Sequence, residues 1–204
     1  MQYLSEFFLL AVAIQMALIS PGSDFMIILK QTINQGKKHA YCSTLGIGFG
    51  IAIHVAYAFF GLAIILKAFP HFLDFIRILG AIYLVYLGIT SLRSNAGKIK
   101  IQSEKVKAYS FKKSFMIGFL CNLLNPKAPL FVISSFTTIV SINTPFYIKS
   151  LYGLYWVLAC IFWFMLVANI LSREKNMNFL NKYRNIIDKF IGIILILLGL
   201  KLVF

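Results

Sequence analysis

Two residues stand where side-chain chemistry needs a reason. Asp24 closes the string Ser20-Pro21-Gly22-Ser23-Asp24, and Lys127 sits inside Asn125-Pro126-Lys127-Ala128-Pro129. Both strings interrupt long apolar runs. An ionised carboxylate near a bilayer centre costs at least about 2.5 kcal/mol, so a buried Asp needs a compensating role. A first-turn Asp complements a helix dipole, but that does not offset the cost of depth. A first-turn Lys opposes the dipole, so capping does not explain Lys127. It could pair with Asp24, attract an anion, or snorkel to a nearby surface. Pairing or anion attraction is the preferred reading. Asp24 is a candidate for a functional role, as intramembrane ionisable groups are by default.

Further polar residues lie at similar depth. His54, among apolar neighbours, is either a hydrogen-bonded tie between helices or part of a proton relay. Gln15, Asn122 and Asn169 are either ties between helices or pocket lining, with ties preferred. Gly46, Gly48 and Gly50 allow close helix packing, and Tyr83 and Tyr86 are core or interface aromatics. Cys42, Cys121 and Cys160 form no Cys-x-x-Cys pair and read as buried free thiols. Neither a zinc-protease string, a nucleotide loop nor a Cys/His metal set is visible. The expectation is a non-enzyme without metal or cofactor.

The elements that position these residues follow from composition. Of 204 residues, 60% are hydrophobic and 13% charged, against about 45–50% and about 25% in soluble domains. This is an all-α polytopic membrane protein. Six spans are expected: 4–33 broken at Pro21, 40–66, 75–92, 114–142 broken at Pro126, 146–171 and 186–204. The N-terminus lacks a basic n-region and a small-residue cleavage site, so the first span is expected to remain. The net charge of +14 would suggest nucleic acid in a soluble protein. Here, of the 20 basic residues, all but Lys67, Arg77, Lys127, Lys149 and Lys201 fall in or beside the loops after the first, third and fifth spans. The positive-inside rule puts those loops in the cytoplasm and both termini in the periplasm, with no nucleic-acid partner.

The chain reads as one transmembrane domain made of two three-helix repeats, 1–93 and 114–204, joined by a basic cytoplasmic loop, 94–113. Ser20-Pro21 corresponds to Asn125-Pro126, and Gly80 through Gly88 resembles Gly192 through Gly199. With three spans each, the second half is inverted. Paired interrupted helices in two halves point to a transporter's binding site. Ser or Asn before Pro is a helix start, so half-helices are expected to begin at Pro21 and Pro126. Their positive ends would face one central region able to hold a carboxylate or another small anion.

At these residues the chain resembles the lysine exporter / homoserine-threonine efflux (LysE/RhtB) family. The resemblance runs through Ser20-Pro21-Gly22-Ser23-Asp24, Gly36, Leu45-Gly46-Ile47-Gly48 and His54, then Gly80 through Gly88. It continues through Gly118-Phe119, Asn122-Leu123-Leu124-Asn125-Pro126-Lys127-Ala128 and Gly192 through Gly199, covering nearly the whole chain. The family's usual Ser-Pro-Gly-Pro-Asp has Ser23 here in place of its second proline. The resemblance implies a bacterial inner-membrane exporter of amino acids or derivatives, exchanging them for protons.

A six-span secondary transporter with a central site is therefore expected. The amino acid's carboxylate would sit near Ser20, Asn125, the half-helix starts and Lys127, and its ammonium near Asp24. Protonation of Asp24, assisted by His54, would couple export to the proton gradient. Its partners would be the amino acid, protons and the lipid bilayer, and a homo-oligomer is compatible with the spans. Two alternatives stay open: an exporter of inorganic ions, and a non-transporting structural or assembly membrane protein.

Overall fold

The computed structural model describes residues 2–20, 22–68, 72–93, 110–125, 127–172 and 174–201. Among them are eight helices and no strand: α1 (Gln2–Ile19), α2 (Ser23–Asn34), α3 (Lys37–Ala68), α4 (Phe72–Leu92), α5 (Phe111–Leu123), α6 (Lys127–Thr138), α7 (Phe146–Ile170) and α8 (Glu174–Lys201). Within the described residues α1, α3 and α7 are each long and apolar enough to cross a bilayer, and α5 and α6 qualify as one bent span. Large apolar side chains also face outward, among them Phe8, Phe49, Phe60, Leu158 and Phe162, each more than half exposed. Such a surface would aggregate in water and suits lipid. The protein is a multi-pass membrane protein.

α3 organises the interior. With 32 residues it is roughly 48 Å long, more than the roughly 30 Å hydrocarbon thickness. It starts directly after Gly36, whose φ of +87° lies in the left-handed region that favours glycine. Gly46 and Gly50, one turn apart, face α5. A Cβ on Gly46 would meet the Phe115 carbonyl oxygen at 2.1 Å, and one on Gly118 would meet that of Ser43 at 2.0 Å. The α3 and α5 backbones therefore touch, in parallel, as small residues permit in membranes. Gly48 and Val55 face α7 instead, against Ile161 and Gly153. α4 and α8 meet antiparallel through Gly88 and Gly192, each against the other's carbonyl oxygen at 2.7 Å from a built Cβ.

Several boundaries differ from the sequence expectation. The stretch Ser172–Arg184 reads as a polar loop, yet α8 starts at Glu174. A charged stretch can remain helical beyond the membrane surface, and hydropathy does not register it. The fourth apolar run extends to Ile142, but α6 ends at Thr138. Near that end the hydroxyls of Thr137 and Thr138 bond back to the carbonyls of Ile133 and Ser134, an interaction that weakens helix continuation. Pro21 and Pro126 lie outside the described residues. The flanking helices stop at Ile19 and Leu123 and resume at Ser23 and Lys127. α5 and α6 are bent by 56° across the second interruption.

Candidate functional site

The two interruptions border one cavity of about 60 Å³, which has room for a few waters. Ser20, Gly22, Asp24, Asn125, Lys127 and the ring of Trp156 are among its walls. α2 opens with Gly22 in an extended conformation (φ −130°, ψ −167°), and its carbonyl accepts from Met26 N. Gly22 has no side chain to cap this helix start, and among the described residues no other side chain does so, so its first-turn N–H groups border the cavity without a capping oxygen from them. The half-helix thus begins at Ser23, two residues later than Ser20-Pro21 suggests. Ser20, expected near a cap, has its hydroxyl elsewhere: Oγ accepts from Lys127 Nζ at 3.3 Å. Asn125 does cap, with Oδ1 accepting from Lys127 N at 3.0 Å.

Asp24 is held from the last turn of α5. Asn122 Nδ2 donates to Oδ2 at 2.8 Å, and Cys121 Sγ donates to Oδ1 at 3.6 Å. Lys127 and Asp24 share the cavity and attract each other through space, but the ammonium's hydrogen bond goes to Ser20. Asn122 is fully buried, and it fits because Gly50 makes room: a Cβ there would lie 2.5 Å from Asn122 Oδ1.

His54 is reached through the same asparagine. Residue 126 is a proline and has no N–H, so it cannot donate to the Asn122 carbonyl as a continuing helix would. That carbonyl accepts instead from Asn125 N at 3.1 Å and faces His54 Nε2 at 3.2 Å. A carbonyl only accepts, so Nε2 carries the proton and Nδ1 accepts from the Tyr57 hydroxyl at 2.7 Å. Both ring nitrogens of a neutral His54 are then satisfied. Among the described residues the hydrogen-bonded route from His54 to Asp24 runs by way of Asn122.

The other candidates spread out. Gln15 Nε2 donates to the Tyr155 hydroxyl at 3.5 Å, tying α1 to α7. Asn169 Oδ1 accepts from the Tyr41 hydroxyl at 2.7 Å, tying α7 to α3. Tyr83 is half-buried and donates to the Lys127 carbonyl at 3.4 Å, whereas Tyr86 is exposed. Of the three thiols only Cys160 is fully buried; Cys42 and Cys121 are partly accessible, and all three are free. Among the described residues no three His, Cys, Asp or Glu side chains converge as metal ligands would.

Two buried carboxylates were not singled out from the sequence. Glu6, 6% exposed, accepts from the Thr144 hydroxyl at 2.8 Å, from Ser141 N at 3.3 Å and from Gln2 Nε2 at 3.1 Å. An acid inside the first apolar run was the available signal. Asp188, 4% exposed, shares a second cavity with Lys127. It lies four residues before Gly192, hence on the α4-facing side of α8, and that spacing was the available signal.

Comparison with known proteins places the chain in a family. The chain is 29% identical over 196 residues to the uncharacterized membrane protein YrhP of Bacillus subtilis, covering 91% of this chain and 92% of that one. It is 27% identical over 191 residues to the threonine efflux protein of Escherichia coli K12, covering 92% of each. It is 32% identical over 126 residues to the leucine efflux protein of Salmonella choleraesuis, covering 61% of this chain and 58% of that one. No solved structure matches. The model of the LysE type translocator family matches residues 5–204, and with that match over nearly its whole length the chain belongs to this family.

Proposed function

We propose that this protein is a secondary transporter that exports small amino acids, or their derivatives, across the bacterial inner membrane in exchange for protons. One observation carries the reading: both interruptions, with a carboxylate on one and an ammonium on the other, border a single cavity. The amino acid's carboxylate would take Lys127 and the uncapped N–H groups of α2. Its ammonium would take Asp24. Relatives named for threonine and leucine efflux support an uncharged side chain on the substrate. In this reading α1–α2 and α5–α6 are broken spans in two inverted halves, giving six spans with both termini periplasmic.

Asp24 would carry the proton. Its neighbour suits both protonation states, because an asparagine amide offers donors to a carboxylate and, once rotated, an acceptor to a carboxylic acid. Asn122 Oδ1 has no hydrogen-bond partner among the described residues, so that acceptor is available. His54 would act as a positioning residue, holding the Asn122 carbonyl.

The test is counterflow of a radiolabelled amino-acid panel in proteoliposomes. Exchange of at least one small amino acid is expected. No exchange with any member would overturn the reading and favour a transporter of other solutes or a non-transporting protein.

A further inference from the structure

A second, larger cavity, of about 200 Å³, lies beside the first. Ser20, Gly22 and Lys127 line both, so these three residues form the wall between them. The far side is made by Thr90 and Ser91 near the end of α4 and by Asp188 of α8. α4 runs from there into the basic loop at Arg93, and antiparallel packing on α8 brings Asp188 to that same end. The ammonium of Lys127 is attracted by Asp188 as well as by Asp24. One cation therefore stands between two carboxylates, each in its own cavity. The second cavity is also polar on its own account, through Ser20, Thr90 and Ser91.

We infer that the chamber between α4 and α8 is a second amino-acid site on the basic-loop side of Lys127, where Asp188 holds the substrate's ammonium and Lys127 its carboxylate. The inference rests on the amino-acid reading above and extends it. An α-amino acid presents its two charges only a few bonds apart. Lys127 can keep hold of the carboxylate while the ammonium passes from Asp188 to Asp24. The substrate then crosses the wall without either charge losing a partner, the costly event at this depth. Because both sites use one lysine, they fill in turn, not together.

Two measurements decide it. In proteoliposomes, Asp188→Asn should raise the half-saturating concentration for exchange of labelled threonine or leucine by about tenfold, the loss of one charge-assisted contact. In a second variant, Ser91→Cys, a thiol reagent applied from the basic-loop side should label position 91, read by peptide mass spectrometry. Saturating amino acid should slow that labelling several-fold. An unchanged half-saturating concentration in a folded Asp188→Asn variant would overturn the second site. So would labelling at position 91 that ignores the amino acid; this arm decides alone if Asp188→Asn does not fold. Either result with a wild-type protein that still exchanges amino acids leaves the proposed function standing. A wild-type protein that exchanges none removes both.

Discussion

Asn122 Nδ2 lies 2.8 Å from Asp24 Oδ2, joining the last turn of α5 to the first turn of α2. That contact ties the two interrupted regions to each other. It exists because α3 presents a glycine where Asn122 must fit.

Gly50→Ala should therefore break it. The added methyl would sit 2.5 Å from Asn122 Oδ1 and 3.1 Å from its Cβ, forcing the asparagine out of place. We expect a loss of about 1–3 kcal/mol in stability, as for overpacking elsewhere, together with impaired transport. Gly22→Ala is the contrast. A Cβ there meets nothing nearer than 3.9 Å, and its backbone is extended. Unfolding in detergent should be unchanged within about 0.5 kcal/mol. If Gly22→Ala nevertheless stops transport, the added methyl acts in the cavity wall beside Lys127 Nζ and not on the stability of the fold.

Glu6 ties the start of α1 to the α6–α7 connection. Glu6→Ala would leave the buried Thr144 hydroxyl and Ser141 N–H without their acceptor. We expect it to cost about 1–3 kcal/mol in thermal unfolding. Thr144→Val combined with it should cost less than the two single changes added. Full additivity would show that the contact is not energetically coupled.

The charges at the two interruptions should also be coupled. Asp24→Asn and Lys127→Gln should each weaken amino-acid binding, and the double variant should lose less than their sum. An interaction of about 0.5–3 kcal/mol is expected for residues in one network. Strict additivity in both affinity and stability would mean that they act independently.

Topology offers an independent check. With the basic loops in the cytoplasm, a C-terminal alkaline phosphatase fusion should be active and a fluorescent-protein fusion dark. The reverse pattern would invert the orientation in which Asp188 faces the cytoplasm.

How much of this could be read from residues alone depended on which force set each feature. Burial in lipid sets the long helices, and the apolar runs around α1, α3 and α7 display it. The interruptions also showed, because Ser20 to Asp24 and Asn125 to Lys127 place polar residues within such runs. The glycine spacing Gly46–Gly50 is visible too, although which helix each glycine meets is a matter of tertiary packing. Partnerships across elements were not legible. Nothing local says that Ser20 serves Lys127 rather than a helix cap, or that Cys121 donates to Asp24. The His54–Asn122 contact was recoverable in principle, since Pro126 frees the Asn122 carbonyl. Asp188 falls inside the expected sixth span, 186–204, close to its edge and beside Lys189, so its burial was not legible there, whereas its four-residue spacing from Gly192 marks a packed face.

The most direct measurement is uphill transport driven by a pH gradient. Proteoliposomes with an acidic lumen should accumulate labelled threonine or leucine above its external concentration through the wild-type protein. A folded Asp24→Asn variant should still exchange the amino acid but bring it only to equality. Accumulation by Asp24→Asn to the wild-type level would contradict the central claim that this carboxylate carries the coupling proton.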